Sequence, residues 1–251
     1  GTVHTSLLMP VGTLASVKGV NVGRLADTGA GVVLGNTYHL HLRPGEEVVQ
    51  AAGGLAAFMG WPGATLTDSG GFQIFSLADQ VQITDAGASF RSHIDGAAVR
   101  LTPEDSMRIQ QSLGADIAMQ LDDVVGLPAE PARVEEAMRR SLAWAERCLA
   151  VHSRPDQALF GIVQGGLDPQ LRRVSAEALA GMPFDGLAGG GLSVGEGAEA
   201  MRTTLAATMP HMPVDRPRYL MGVGRPIDLV DGVGAGIDMF DCVLPTRCGR
   251  T

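Results

Sequence analysis

A (β/α)8 barrel, an α/β fold with a parallel sheet closed on itself, is predicted by three observations. Short apolar runs recur along the chain, most of them are separated by stretches of helical period, and 251 residues is the usual size of such a barrel. There are eight such runs, the number a barrel requires, at residues 7–12, 32–38, 64–69, 117–122, 159–164, 186–191, 219–224 and 237–243. The helices between them have readable ends. Thr102-Pro103-Glu104-Asp105 supplies an N-cap hydroxyl, a proline at the first helical position and a carboxylate three residues after the cap, and Gly114 suits the exit. That helix carries Met107, Ile109 and Leu113. Over 130–150, Val134, Met138, Leu142 and Ala145 form one stripe, and Glu135 and Glu136 precede Arg139 and Arg140 at i,i+4 spacing, which predicts an exposed helical face. Asp168-Pro169 repeats the cap-and-proline signal before a helix through Ala180. One stretch breaks the rhythm. Residues 81–101 alternate apolar and polar side chains around Asp85-Ala-Gly87 and Asp95-Gly96, which predicts a β-hairpin inserted on the barrel. With no repeat, low-complexity tract or linker, residues 1–251 read as a single barrel domain; almost nothing follows the eighth run, so the closing helix is expected to be missing.

Composition narrows the class of function. Hydrophobic residues make up 45% of the chain, enough for a sizeable core, and disorder is excluded. The 34 glycines follow no collagen period, so they serve turns and close backbone approaches. Nineteen basic against 27 acidic residues give a net charge of −8, which argues against gripping nucleic acid through bulk charge and leaves room only for a locally basic rim. Cys148, Cys242 and Cys248 lack paired CxxC spacing, so neither a disulfide framework nor a self-contained zinc site is expected and a cytoplasmic location fits. Neither a membrane-spanning run nor a signal peptide is evident, so no membrane partner is expected.

In a barrel the chemistry gathers where the strands end at their C-terminal side. The polar and glycine residues there are Asn36, Asp68 with Ser69-Gly70-Gly71, Asp122 with Asp123, Gln164 with Gly165-Gly166, Gly190-Gly191, Met221-Gly222 and Asp241. A single strand-end aspartate is more often a helix cap, but three acids from three runs converge on one glycine-lined mouth, where bare backbone amides can approach a flat ligand. Asp241 is the most unusual, because Met239-Phe240-Asp241-Cys242-Val243 puts a carboxylate inside an apolar run. Two carboxylates facing one cavity point to glycosidic-bond chemistry, one attacking the anomeric carbon and the other handling the leaving-group proton. Cys242 falls on the opposite strand face and belongs to the core. His39 and His41 have the look of a metal pair but lack a third ligand, so no metal site is expected.

The same residues resemble a family. Asp68-Ser-Gly-Gly-Phe-Gln73, Phe160-Gly-Ile-Val-Gln-Gly-Gly166, Gly190-Gly-Leu192 with Gly195-Glu196, Tyr219-Leu-Met-Gly-Val-Gly224 and Asp238-Met-Phe-Asp-Cys-Val-Leu-Pro-Thr-Arg247 are similar to tRNA-guanine transglycosylases, and Met9-Pro-Val-Gly12 and Gly35-Asn-Thr-Tyr-His-Leu40 fit the first two strands. The likeness covers essentially the whole chain. It implies exchange of guanine at the first anticodon position of tRNA for a 7-deazaguanine base, queuine or 7-aminomethyl-7-deazaguanine, without strand cleavage. It implies Asp241 as nucleophile forming a covalent RNA intermediate and Asp68 as general acid/base. Asp122, Gln164 and the Gly191 amide read the base edge, Phe72 and Met221 sandwich its faces with Leu192 beside them, and Arg247 and Arg250 meet flanking phosphates. The base leaves the single-stranded anticodon loop to reach this pocket.

Val124, where bacterial members have cysteine, and Phe72, where they have tyrosine, lean toward queuine; Val194 looks bacterial. The chain departs from the family in ending before the zinc subdomain, so zinc is expected in a full-length relative and no cofactor in this chain. A homodimer or heterodimer is implied. Two other readings remain open: a noncatalytic tRNA-binding subunit of a transglycosylase heterodimer, against which Asp68, Asp122 and Asp241 speak, and a barrel glycosidase acting on sugars, against which the base-reading set speaks.

Overall fold

The computed structural model describes residues 3–77 and 79–248. The eight apolar runs become eight strands, all parallel: β1 (Leu7–Pro10), β2 (Val32–Gly35), β3 (Ala64–Thr67), β7 (Ile117–Met119), β8 (Ala158–Val163), β9 (Gly186–Gly189), β10 (Arg218–Leu220) and β11 (Met239–Cys242). They pair in the order β2-β3-β7-β8-β9-β10-β11-β1, and the ring is drawn together by a parallel bridge between Val11 and Leu34. This is the predicted (β/α)8 barrel.

The strand period of two builds two cores from one set of residues. Met9, Val32, Leu34, Leu66, Met119, Phe160, Ile162, Ala188, Tyr219 and Met239 turn inward and fill the barrel. Their neighbours Val33, Leu159, Val163, Leu187, Leu220 and Phe240 turn outward against the helices. Gly186 is required by this packing, since a Cβ there would come within 2.4 Å of the Phe160 ring.

The helical layer comprises α1 (Val22–Asp27), the short α2 (Thr37–Leu42), α3 (Glu46–Ala51) and α4 (Leu55–Met59), then α5 (Gly71–Leu77), α6 (Pro103–Leu113), α7 (Pro131–Val151), α8 (Pro169–Ala180), α9 (Ala198–Thr208) and α10 (Pro226–Gly234). The α6 capping box is present: Thr102 Oγ1 accepts from the Asp105 amide, Asp105 accepts from the Thr102 amide, and Gly114 closes the helix in the left-handed conformation. Asp168 caps α8 by accepting from the Gln170 and Leu171 amides. None of the described helices is long and apolar enough to cross a membrane.

Three sequence expectations need correction. The insertion over 81–101 is a three-stranded antiparallel sheet, β4 (Asp79–Thr84), β5 (Gly87–Arg91) and β6 (Ala98–Leu101), instead of one hairpin. Both turn signals are used, the second closed by the Ser92 amide donating to Ala97 O at 2.9 Å, and two turns require three strands. The α7 face carrying Arg140 is not exposed: Glu135 and Arg139 pair at the surface, but Arg140 is buried, because Asp123 lies beneath it. Finally, a helix does begin after the last strand, α11 (Leu244–Cys248).

The insertion is anchored on α7. Trp144 Nε1 donates to Asp85 O at 2.9 Å, and Arg147 donates to Asp85 O and Ala86 O while gripping Glu104 with two bonds of 2.7 Å. The sheet is thereby held close to the mouth of the barrel.

Candidate active site

The inward register that fills the barrel also builds the site, two residues further along each strand. Leu34 leads to Asn36, Leu66 to Asp68, Ile162 to Gln164, Ala188 to Gly190, Tyr219 to Met221 and Met239 to Asp241. A cavity of about 560 Å³ opens at this end, within the range of small-ligand pockets and large enough for a nucleobase with its sugar. Asp68, Asp122 and Asp241 all line it, as do Phe72, Gly191, Leu192, Met221 and Arg247. Gln164 sits directly behind this wall, its Nε2 donating to Asp122 Oδ2 at 2.8 Å. Arg250 lies outside the described residues.

Each carboxylate has a different setting. Asp68 is buried and accepts from Asn36 Nδ2 at 2.6 Å, the Thr37 amide at 2.8 Å and Gln73 Nε2 at 2.7 Å. Burial pushes its pKa up to about 6 against these three donors, and the nearby Asp241 adds to the rise. Asp122 is buried too, accepting from Ser69 Oγ at 3.0 Å as well as from Gln164. Burial, with repulsion from Asp123 and Asp68, lifts it to about 6 against those bonds. Asp241 is half-buried on the cavity wall. Its Oδ1 accepts from the Tyr219 hydroxyl at 2.5 Å and the Gly222 amide at 2.7 Å, and no described residue donates to Oδ2. Burial raises its pKa while these two bonds oppose the rise; burial and the facing Asp241 drive the Tyr219 phenol well up, so the phenol keeps its proton and remains a donor.

These raised values predict how stability depends on pH. An unfolded Asp68 titrates near 3.8, while the native group holds its proton until about pH 6. Between those values the native state binds the extra proton, so ionising Asp68 destabilises it progressively as pH rises through the window, with the full penalty above about 6. Two units correspond to roughly 3 kcal/mol per group as an upper figure. Asp68→Asn removes the penalty, so its thermal midpoint should overtake that of the unaltered chain as pH goes from 4 to 7. A difference constant across that range overturns the assignment.

Several participants were not singled out by the sequence. Gln73 and Thr37 bind Asp68, and Tyr219 binds Asp241. A detectable signal existed for Tyr219, because a hydroxyl on the inward face of an apolar strand must find a partner. Asp123, adjacent to Asp122, takes no part in the cavity; it is fully buried under Arg133 and Arg140. His39 and His41 diverge, His39 toward Tyr38 and His93 and His41 onto Glu46 at 2.7 Å. Among the described residues no group of three or more His, Cys, Asp and Glu is placed to hold a metal ion. Cys242 is buried, a Cβ on Gly224 would fall within 2.2 Å of it, and Cys242 also borders the cavity instead of lying wholly in the core.

A parallel barrel whose mouth gathers three acids, Asp68 and Asp122 buried and Asp241 half-buried, on one cavity that Phe72 also lines defines a class, the barrels equipped for carboxylate chemistry. Within it, the family model for queuine tRNA-ribosyltransferase matches residues 1–251, and the chain belongs to that family. Curated relatives include queuine tRNA-ribosyltransferases of Synechococcus sp. strain CC9311 (56% identical over 250 residues, 100% of this chain and 67% of the relative), Sorangium cellulosum (58% identical; 100% and 63%) and Symbiobacterium thermophilum (54% identical; 100% and 63%). The chain spans about two thirds of their length.

Proposed function

We propose that this chain carries the catalytic barrel of a tRNA-guanine transglycosylase, which exchanges guanine at the first anticodon position for a 7-deazaguanine base. The observation that carries the reading is the pairing of two unlike carboxylates on one cavity. Asp241 has one oxygen fixed by Tyr219 and Gly222 and the other unclaimed among described residues, and burial lifts Asp68 to about 6, with the nearby Asp241 adding to the rise.

In the proposed sequence, Asp241 Oδ2 attacks C1′ of the ribose and the C1′–N9 bond breaks, its electron pair going to guanine, which takes a proton from the Asp68 carboxyl. The result is an aspartyl-ribosyl ester of otherwise intact tRNA. The incoming base gives a ring proton back to Asp68 and attacks C1′, releasing the Asp241 carboxylate. Tyr219 and Gly222 stabilise that carboxylate in both free states. Asp122, Gln164 and the Gly191 amide supply acceptor and donors for the base edge, and Phe72 and Met221 offer flat and polarizable surfaces for its faces. Arg247 on the cavity wall is suited to a flanking phosphate; with a net charge of −8, binding depends on such local contacts.

The test is incorporation of radiolabelled guanine into a tRNA with guanine at the first anticodon position, and into the same tRNA with adenine there. Label is expected in the first only. Label in neither, or turnover of simple glycosides without RNA, overturns the reading. For the incoming base, Val124 and Phe72 give the cavity an apolar stretch of wall suited to the larger ring of queuine, while Val194 leans the other way. In competition for one tRNA pool queuine should therefore hold its own; a decisive win by 7-aminomethyl-7-deazaguanine sinks that choice.

A further inference from the structure

Arg172 lies on α8, and its side chain is fully buried beneath the strand ends that carry the base-edge residues. Its Nε donates to Gly166 O at 2.8 Å, and its Nη1 donates to Val163 O at 3.0 Å and Gly190 O at 2.8 Å. Nη2 has no partner and lies 3.6 Å from where a Cβ on Gly191 would stand. Among the described residues no carboxylate is within ion-pairing distance. A buried guanidinium bonded only to carbonyls, with Glu196 acting on it from beyond ion-pairing distance, is costly, which makes an ordinary anchoring role a poor explanation.

The choice of carbonyls supplies a better one. Gly190 O belongs to the same planar peptide as the Gly191 N–H, whereas the N–H of the 163–164 peptide is already taken by Ser175 Oγ at 3.1 Å. Within a trans peptide the C=O and N–H point in opposite directions, so gripping Gly190 O from behind the wall turns the Gly191 N–H forward, toward the cavity that Gly191 lines. A cation on the carbonyl also polarises the peptide and strengthens its N–H as a donor. Gly191 itself sits at φ +63°, and a Cβ there would meet Gln164 Oε1 at 2.5 Å, so the peptide has no side chain of its own to fix it.

We propose that Arg172 is a positioning residue for base recognition, holding the 190–191 peptide from behind so that the Gly191 N–H faces the carbonyl edge of the base. The inference rests on the base-exchange reading for the identity of that base. It predicts a selective defect: the affinity for bases bearing a ring carbonyl falls, while the chemistry at Asp241 and Asp68 is left intact.

The experiment uses Arg172→Met, which keeps the volume and removes the donors, and Arg172→Lys, which keeps the charge and loses the fork. Direct titration with guanine and with 2-aminopurine, which lacks the ring carbonyl, is combined with steady-state exchange kinetics in the full chain. Guanine Kd and base KM should rise about tenfold or more in Arg172→Met and less in Arg172→Lys, with kcat within about threefold and 2-aminopurine binding unchanged. Equal losses for both bases, a fall in kcat at constant KM, or unfolding of both variants overturns the proposal in favour of a purely structural arginine. If the unaltered chain binds guanine but does not exchange it, the transglycosylase reading fails while the binding titrations still decide the role of Arg172.

Discussion

Asp241→Asn should lose base exchange by about four orders of magnitude or more, the scale on which removal of a covalent nucleophile is felt. The change is as small as chemistry allows. An asparagine oxygen still accepts from Tyr219 and Gly222, which now hold Asp241 Oδ1 at 2.5 and 2.7 Å, so fold and cavity survive. What is lost is the anionic oxygen that, in the proposed mechanism, attacks C1′. On a denaturing gel, the unaltered chain mixed with its tRNA and no incoming base should give a shifted, denaturant-stable band, and the variant none. Native binding of tRNA should persist in the variant, because the proposed phosphate contact is at Arg247 and not at Asp241. A variant of unchanged activity removes Asp241 from the mechanism and restores the noncatalytic-subunit reading; a variant that loses both adduct and tRNA binding signals a docking defect instead.

Much of this site was legible because barrel geometry and site geometry share one period. The alternation that places Leu66 and Met239 inside the barrel places Asp68 and Asp241 at its mouth, so polar residues ending apolar runs mark the acids in the sequence itself. The α6 cap was equally legible, since Thr102 and Asp105 interact over three residues of local sequence. Contacts between distant segments were not. The spacing of Glu136 and Arg140 is satisfied equally by an exposed pair and by one drawn inward; only the arrival of Asp123, 17 residues earlier in the chain, decides which. Arg172 was hidden for the same reason: its three carbonyl partners lie on two strand ends, and a helical arginine has no local mark of burial. The insertion has one strand more than its sequence suggests because alternation reveals strands without fixing how many turns divide them.

The buried acid beside the site carries the second large effect. Asp123 is fully buried and accepts two bonds from Arg133, at 2.7 and 2.9 Å, and one from Arg140 at 2.7 Å, while its amide donates to Ser141 Oγ. Arg140 is itself buried and reaches on to Asp85 in the insertion and to Glu136. One aspartate thus ties α7 to the end of β7, next to Asp122, and links α7 onward to the inserted sheet. Asp123→Ala leaves the Arg140 guanidinium buried without its main counter-charge, and such a loss destabilises by about 3–5 kcal/mol. At 2–4 °C per kcal/mol for a chain of this size, the thermal midpoint should drop by roughly 10 °C. The penalty comes from the stranded cation more than from the lost attraction, and this can be separated. Asp123→Leu combined with Arg140→Met removes both charges, and Arg133, about a third exposed, can turn to water. The double variant should therefore recover most of the lost midpoint, although each single variant is strongly destabilised. Additive losses in the double variant overturn this account and make the bonds themselves the source of stability.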